Sequence, residues 1–175
     1  GDQGRLLVTD AIAIMKSLPN YTTEILPTFN NVTVSGSNNV VAFNVFFAGT
    51  NSGVWSKGLW PHAWVLASPV ELSTGGKRVF SYQLTNIGSS PGLGTFCHEN
   101  GHMLCGFPDI YDYDGDSIGG AGDFCLMNSG NYALNPTQIG AYLKLAAGWA
   151  NIVGASNGIV TLVAAPTTGY NNFYR

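Results

Sequence analysis

The spacing of apolar residues predicts helices at three places along the chain. Near the amino terminus, apolar residues at helical spacing predict a short helix over residues 11–18, which Thr9 or Asp10 would cap. A serine and proline pair opens a second predicted helix, which covers residues 91–105. An apolar stripe further along predicts a third helix over residues 136–149, which we expect to pack on the core.

Continuous apolar runs predict β-strands between these helices. Residues 40–48 read VVAFNVFFA, a run that is typical of a buried strand and that we place at the centre of the sheet. Residues 79–84 and 158–166 predict two further strands. The tryptophan-rich segment over residues 54–66 is more typical of an irregular, well-packed loop that leads into a strand.

Length limits how these elements can be organised. Helices and strands mixed within 175 residues predict an α+β fold with one hydrophobic core. We expect one domain over residues 1–158, followed over residues 159–175 by a terminal strand and tail that could begin a further domain. The amino terminus lacks the basic and apolar regions of a signal peptide, so we expect that such a peptide was removed or that this is a piece of a longer chain.

Charged residues are few, which bears on where the protein acts and on what it binds. Charged residues make up 10% of the chain, against about 25% in typical soluble proteins, and the uncharged polar surface this implies indicates a secreted protein. The net charge is -3 and the seven Lys and Arg residues form no basic stripe, which argues against nucleic acid as a partner. No apolar run approaches the ~20 residues that span a bilayer, and we expect a monomer without a membrane span.

The segment His98-Glu99-Asn100-Gly101-His102 has the form H-E-x-x-H. Because a helix completes a turn every 3.6 residues, both imidazoles project from one face with the carboxylate beside them. This pattern predicts two zinc ligands and a general base on the helix over residues 91–105. The alternative is a helix whose histidines are ordinary core or surface residues.

A catalytic zinc takes three protein ligands, so a third must be found elsewhere. Neither His nor Glu occurs after His102, which leaves an aspartate as the expected donor downstream. Asp109 follows a Gly-Phe-Pro turn that can bring its carboxylate back toward the helix, and Asp112 is the next candidate. His62 lies upstream, in aromatic surroundings that are more typical of a packed, hydrogen-bonded histidine.

These residues predict a zinc-dependent endopeptidase that acts on protein or peptide substrates. One zinc ion lowers the pKa of its bound water toward ~7, and Glu99 accepts the proton of that water as it attacks a peptide carbonyl. Glu99 can then deliver the proton to the leaving amine, so no nucleophilic side chain is needed. Two alternatives stay open: a non-catalytic peptidase-like module with a structural metal, and a zinc amidase with other substrates.

The motif, together with GFPDIYDYD over residues 106–114 and FCLMNSG over residues 124–130, resembles the M6 metallopeptidases, the family that includes immune inhibitor A. Upstream, VFFAG and LWPHAW extend the resemblance over roughly residues 40–150. The resemblance implies a metzincin-like fold, with a twisted sheet, an active-site helix and a smaller irregular carboxyl-terminal part. It also implies that Asp109 is the third zinc ligand and that Met127 lies in a turn beneath the metal.

Other residues are expected to lie near the metal. Segments that meet around it carry Cys105 and Cys125, and a disulfide between them would close the third-ligand loop and leave Cys97 as a free thiol. A reduced protein with three unpaired cysteines is the alternative. Tyr132, which follows Met127, is a candidate donor of a hydrogen bond to the oxyanion.

Acidic residues cluster just after the predicted third ligand. Asp112, Asp114 and Asp116 alternate around Gly115, a pattern similar to the start of a calcium loop, in which oxygen ligands surround the ion. No bidentate glutamate follows, so the full EF-hand pattern is not met. The sequence therefore predicts either a calcium site or a solvated acidic turn at this point.

Overall fold

The computed structural model describes residues 2–33, 36–48, 59–88, 92–155, 157–159, 161 and 172–174. Within these ranges helices and strands are mixed, which confirms the predicted α+β class. The helices are α1 (Asp2–Lys16), α2 (Leu26–Thr28), α3 (Leu93–Cys105) and α4 (Ala141–Ala146), with short π- or 3-10-helical turns at Tyr21–Ile25, Phe29–Asn31 and Gly122–Phe124. The strands are β1 (Asn44–Phe47), β2 (His62–Glu71), β3 (Arg78–Asn86), β4 (Asn151–Val153) and β5 (Asn172–Tyr174).

Helix α1 begins much earlier than the predicted helix over residues 11–18. Val8 and Ile12, one turn apart, are buried and hold this helix against the rest of the protein. The predicted cap at Thr9 or Asp10 is wrong, because both residues lie within the helix. The Thr9 hydroxyl donates to the carbonyl of Arg5 one turn back, at 2.9 Å. As predicted, the helix ends before Pro19.

Strand β3 lies at the centre of a three-stranded sheet, in the order β1-β3-β2. Strand β1 pairs with it in parallel and β2 pairs with it antiparallel. The prediction that residues 40–48 form the central strand is therefore wrong: only Asn44–Phe47 pair as a strand, and they flank β3. The register of β2 shifts between Val65 and Val70, where Pro69 cannot donate a ladder hydrogen bond.

Helix α3 confirms the predicted end of the second helix, and its start lies close to the predicted one. Gly92 precedes its first turn without a side-chain cap, while residues 89–91, which carried the predicted start, lie outside the described residues. The backbone N–H of Leu93 donates to the carbonyl of Ala133 at 2.8 Å. The helix packs against β2 and β3, and the Phe96 ring stacks on that of Phe46.

The predicted helix over residues 136–149 is reduced to α4, six residues long. The residues before α4 form hydrogen bonds outside the predicted helix. Thr137 N–H donates to Gly130 O at 2.8 Å, and Gln138 O accepts from Leu126 N–H at 3.2 Å. These bonds tie residues 137 and 138 to the segment 126–130, and residues 136–140 are not helical. Strand β4 was not predicted and pairs in parallel with β5. Of the strand predicted over residues 158–166, most lies outside the described residues.

Two groups of buried apolar side chains surround α3. Residues of α1 and the three-stranded sheet form the first group, which we name the sheet core: Val8, Ile12, Val40, Phe47, Leu66, Leu72, Val79, Tyr82 and Leu84. Residues that follow α3 form the second, which we name the loop core: Phe107, Cys125, Leu126, Met127 and Leu143. Among the described residues, no helix has the length and hydropathy needed to cross a membrane.

Candidate active site

Helix α3 places the two motif histidines one turn apart on the same face. Their Nε2 atoms lie 3.1 Å from each other. His98 is buried and His102 is half-buried, so the pair lies at the floor of a cavity rather than on the outer surface. Gly101 brings the helix close to the loop core, because a Cβ at this position would lie 2.7 Å from the Met127 sulfur.

A left-handed turn after α3 returns the chain to these histidines. Gly106 has a φ of 64°, which glycine adopts at little cost, and its N–H donates to the carbonyl of His102 at 3.1 Å. Asp109 follows this turn, and its Oδ1 lies 3.0 Å from His98 Nε2 and 3.2 Å from His102 Nε2. From a turn that begins one residue after Cys105, the last residue of the helix, the carboxylate reaches both rings.

Both imidazoles are oriented by backbone carbonyls on their far side. His98 Nδ1 lies 2.8 Å from the carbonyl oxygen of Leu126, and His102 Nδ1 is hydrogen-bonded to that of Phe107. Since a carbonyl only accepts, each Nδ1 is the protonated, donating nitrogen. In the neutral form of each ring, the nitrogen that faces Asp109 is therefore the unprotonated Nε2, as in metal-binding histidines.

Three electron-pair donors thus converge at one point. Asp109 Oδ1 is buried and accepts no hydrogen bond, although two ring nitrogens lie within 3.2 Å of it. Ligands of a tetrahedral zinc at about 2.0–2.1 Å lie about 3.3 Å from one another, close to the three separations found here. His98, His102 and Asp109 therefore fit a zinc ion, which would supply the positive charge that this buried oxygen lacks.

Glu99 lies beside these three residues and is 7% exposed. Burial raises the pKa of its carboxyl to about 8, and the nearby Asp109 carboxylate adds to the increase, while the backbone N–H of Ala63 donates to it and opposes the increase. Ala63 belongs to β2, so the sheet holds the carboxyl that α3 presents. A cation at the neighbouring site would favour the ionised form and lower this pKa.

A cavity of about 820 Å³ opens above the four polar residues. Glu99, the two histidines and Asp109 line part of it. Aromatic side chains form much of the remaining wall: Trp60, Trp64, Tyr111 and Tyr113. This combination of an apolar wall with a few convergent polar groups is typical of a site for small molecules or for peptide side chains.

The segment around Met127 connects both arms of the site. Leu126 accepts the hydrogen bond from His98, and the carbonyl of Met127 accepts one from Ile110 N–H at 3.0 Å, next to Asp109. Met127 itself is fully buried below α3. The role that the resemblance implies, a turn beneath the metal, stays a prediction, and the Met127 side chain contributes packing rather than a ligand atom.

The two alternative third ligands, of which His62 also lines the cavity, form hydrogen bonds with other groups and are not part of the cluster. His62 is hydrogen-bonded to the carbonyl of Trp60 at 2.7 Å and to the hydroxyl of Tyr82 at 3.1 Å, as expected for a packed histidine. The carboxylate of Asp112 accepts from Gly115 N–H and from Ser117, within its own turn. Asp109 is therefore the aspartate that the structure brings to the histidines.

The acidic residues of the predicted calcium loop do come together. Carboxylate oxygens of Asp112, Asp114 and Asp116 lie within 4.8 Å of one another. Hydrogen bonds from Ser117, with those from Gly115 N–H, hold the pKa of Asp112 below its ordinary value. The choice between a calcium site and a solvated turn stays a prediction.

Two predicted features differ in the structure. Cys105 and Cys125 are free thiols, because Cys105 is exposed at the end of α3 whereas Cys125 is buried in the loop core, with its sulfur 3.1 Å from Gly140 N. The predicted disulfide between them is therefore not formed. Tyr132 does not line the cavity. Its hydroxyl is hydrogen-bonded to Asp123, which raises the pKa of this exposed tyrosine.

Several contributors to the site were not predicted. The backbone groups of Ala63, Phe107 and Leu126 carry no signal in their residue types, since any residue but proline has the same N–H and carbonyl. Tyr113 donates to Asp109 Oδ2 at 2.9 Å, and only its position four residues after the aspartate could have suggested this contact.

Neither models of known protein families nor curated protein sequences match the chain.

Proposed function

We propose that this chain is a zinc-dependent endopeptidase, in which His98, His102 and Asp109 hold the ion and Glu99 is the general base. The observation that carries the proposal is the buried Oδ1 of Asp109, which has no hydrogen-bond donor yet lies within 3.2 Å of two imidazole nitrogens. Bringing three electron-pair donors together is unfavourable unless a cation lies among them.

When bound, zinc supplies a Lewis acid that polarises a carbonyl and acidifies water. The chain's own contribution is to hold the ligands before the ion arrives. Two backbone carbonyls fix the histidine tautomers, and the left-handed turn at Gly106 fixes the distance from α3 to Asp109. Ligands that are already oriented lose little conformational entropy on binding.

Glu99 is placed to move protons at the floor of the cavity. Its carboxyl lines the cavity, is almost completely buried, and has a pKa raised to about 8 by that burial. A neighbouring cation lowers this pKa toward neutrality, where a carboxyl can both take a proton from attacking water and return it to a leaving amine. A purely structural metal site would not need this group.

The aromatic wall supports peptide rather than very small substrates. Trp60, Trp64 and Tyr111 give the cavity apolar surfaces on which peptide side chains can pack. The resemblance to the M6 metallopeptidases favours the same choice, and with it a secreted enzyme. Hydrolysis of small amides by the same groups is the competing proposal, because the metal and base do not by themselves define a substrate.

The proposal is tested by zinc content and by casein cleavage, measured on the same samples with and without chelator. Wild type should bind one zinc per chain and cleave casein. Glu99→Gln should keep the zinc and lose about 100- to 10,000-fold in kcat. Asp109→Ala should lose both. Zinc without any cleavage would favour a non-catalytic module, turnover of small amides alone would favour an amidase, and a wild type without zinc would refute the proposal.

A further inference from the structure

The two oxygens of Asp109 have different surroundings. Oδ1 is directed at His98 and His102, at 3.0 and 3.2 Å from their Nε2 atoms. Oδ2 accepts a hydrogen bond from the hydroxyl of Tyr113 at 2.9 Å. A carboxylate can bind a metal ion through one oxygen or through both, so a donor on Oδ2 affects which form is available.

Tyr113 contacts the ring of one other aromatic residue, Tyr111. Its ring meets that of Tyr111 edge-on, with centroids 5.8 Å apart, and Tyr111 in turn lies 6.1 Å from the His98 ring. Tyr113 is nevertheless 77% exposed, so it contributes little to either core. Its hydroxyl can therefore be removed without a cavity forming in the interior, and the hydrogen bond to Asp109 is what that removal changes.

We infer that Tyr113 is a positioning residue of the metal site: its hydroxyl holds Oδ2 of Asp109 so that the carboxylate offers Oδ1 alone to the ion. This inference rests on the proposed zinc site. Without the hydroxyl, the carboxylate can rotate about its last bond, and its second oxygen can compete for the ion or for the proton of a neighbouring group. Hydrogen bonds to metal-binding groups typically change metal affinity about 10- to 100-fold.

The variant Tyr113→Phe removes the hydroxyl and keeps the ring. Tyr142→Phe is the matched control, because Tyr142 is 76% exposed on α4 and does not line the cavity. Zinc affinity is measured by competition with a chromophoric chelator, and the visible absorption of the Co²⁺-loaded protein reports coordination geometry. Far-UV circular dichroism checks that both variants fold as wild type does.

We expect Tyr113→Phe to bind zinc about 10- to 100-fold more weakly and to change the Co²⁺ spectrum, with Tyr142→Phe unchanged in both. Equal affinities and identical Co²⁺ spectra for Tyr113→Phe and wild type would overturn the inference and leave the zinc site standing. A loss of affinity of the same size in Tyr142→Phe would also overturn it, since the effect would not depend on Asp109. A wild type that binds neither ion would overturn the proposed function and the inference together.

Discussion

Gly94 in the first turn of α3 is the position where one added methyl group should do most damage. A Cβ built on it would lie 2.1 Å from the carbonyl oxygen of Asn131, 2.2 Å from the carbonyl carbon of the same residue and 2.4 Å from the carbonyl oxygen of Tyr132. All three atoms belong to the backbone, so no side-chain rotation can relieve the contact. Favourable contacts between heavy atoms begin near about 3.5 Å, and the segment must move by more than about 1 Å to accept Gly94→Ala.

The expected magnitude follows from opposing contributions. Overpacking of this kind destabilises by about 1–3 kcal/mol, and displacement of the segment also weakens the hydrogen bond from Leu93 N–H to Ala133, worth about 1 kcal/mol. Alanine stabilises a helix interior by about 1 kcal/mol relative to glycine, and by less in the first turn. We therefore expect Gly94→Ala to lower the free energy of unfolding by about 1–3 kcal/mol. The same movement displaces Asn131, which lines the cavity.

Urea unfolding followed by circular dichroism, in the presence of chelator, measures this change without a contribution from bound metal. Gly92→Ala is the matched control, because the nearest atom to a Cβ there is the Thr95 hydroxyl oxygen at 3.7 Å. We expect this control to change stability by less than about 1 kcal/mol. If Gly94→Ala were as stable as Gly92→Ala, the close packing of residues 131–132 on α3 would be refuted.

Three further predictions concern the charges and thiols of the site. In metal-free protein the pKa of Glu99 is raised from 4.5 to about 8, so between these values the folded state keeps a proton that the unfolded state releases. The free energy of unfolding should then fall as pH rises from 5 to 8, by up to about 1.4 kcal/mol per pH unit. Urea unfolding at a series of pH values should show a weaker pH dependence in Glu99→Gln. An equal pH dependence in the variant and wild type would contradict the burial of this carboxyl. Zinc affinity, measured by chelator competition, should decrease as pH falls from 7 to 5, because groups that bind a metal must be unprotonated, and an affinity independent of pH would argue against the proposed ligands. A thiol reagent should modify the exposed Cys105 in the native protein and reach the buried Cys125 only after unfolding, whereas thiols that appear at both positions only after reduction would restore the predicted disulfide.

The site was predictable from the sequence because its parts are close together along the chain. His98 and His102 follow from the period of a single helix, and Asp109 is separated from them by one tight turn. Local geometry of this kind leaves few other positions for these three side chains. The donor to Glu99 was not predictable, because Ala63 is 36 positions away and contributes a backbone group that every residue except proline possesses.

The errors in the predicted fold also come from contacts between residues that are distant along the chain. The predicted central strand was chosen for its apolar run over residues 40–48, but position in a sheet depends on pairing partners, and β3 has partners on both sides. The predicted helix over residues 136–149 has a suitable apolar stripe. Its first residues instead form hydrogen bonds with the segment 123–130, including one from the Thr137 hydroxyl to the carbonyl of Asp123. Tertiary contacts outweighed local preference at both places.

The hydrogen bond from His98 to the carbonyl of Leu126 has a consequence for sequence variation. A carbonyl oxygen stays in place when its side chain is exchanged, so an apolar replacement of Leu126 leaves the orientation of the imidazole unchanged. One residue inserted or deleted between positions 125 and 128 would instead shift two carbonyls at once, the one that holds His98 and the one that holds Ile110 beside Asp109. In this segment the number of residues, more than their identity, maintains the positions of the three proposed metal ligands.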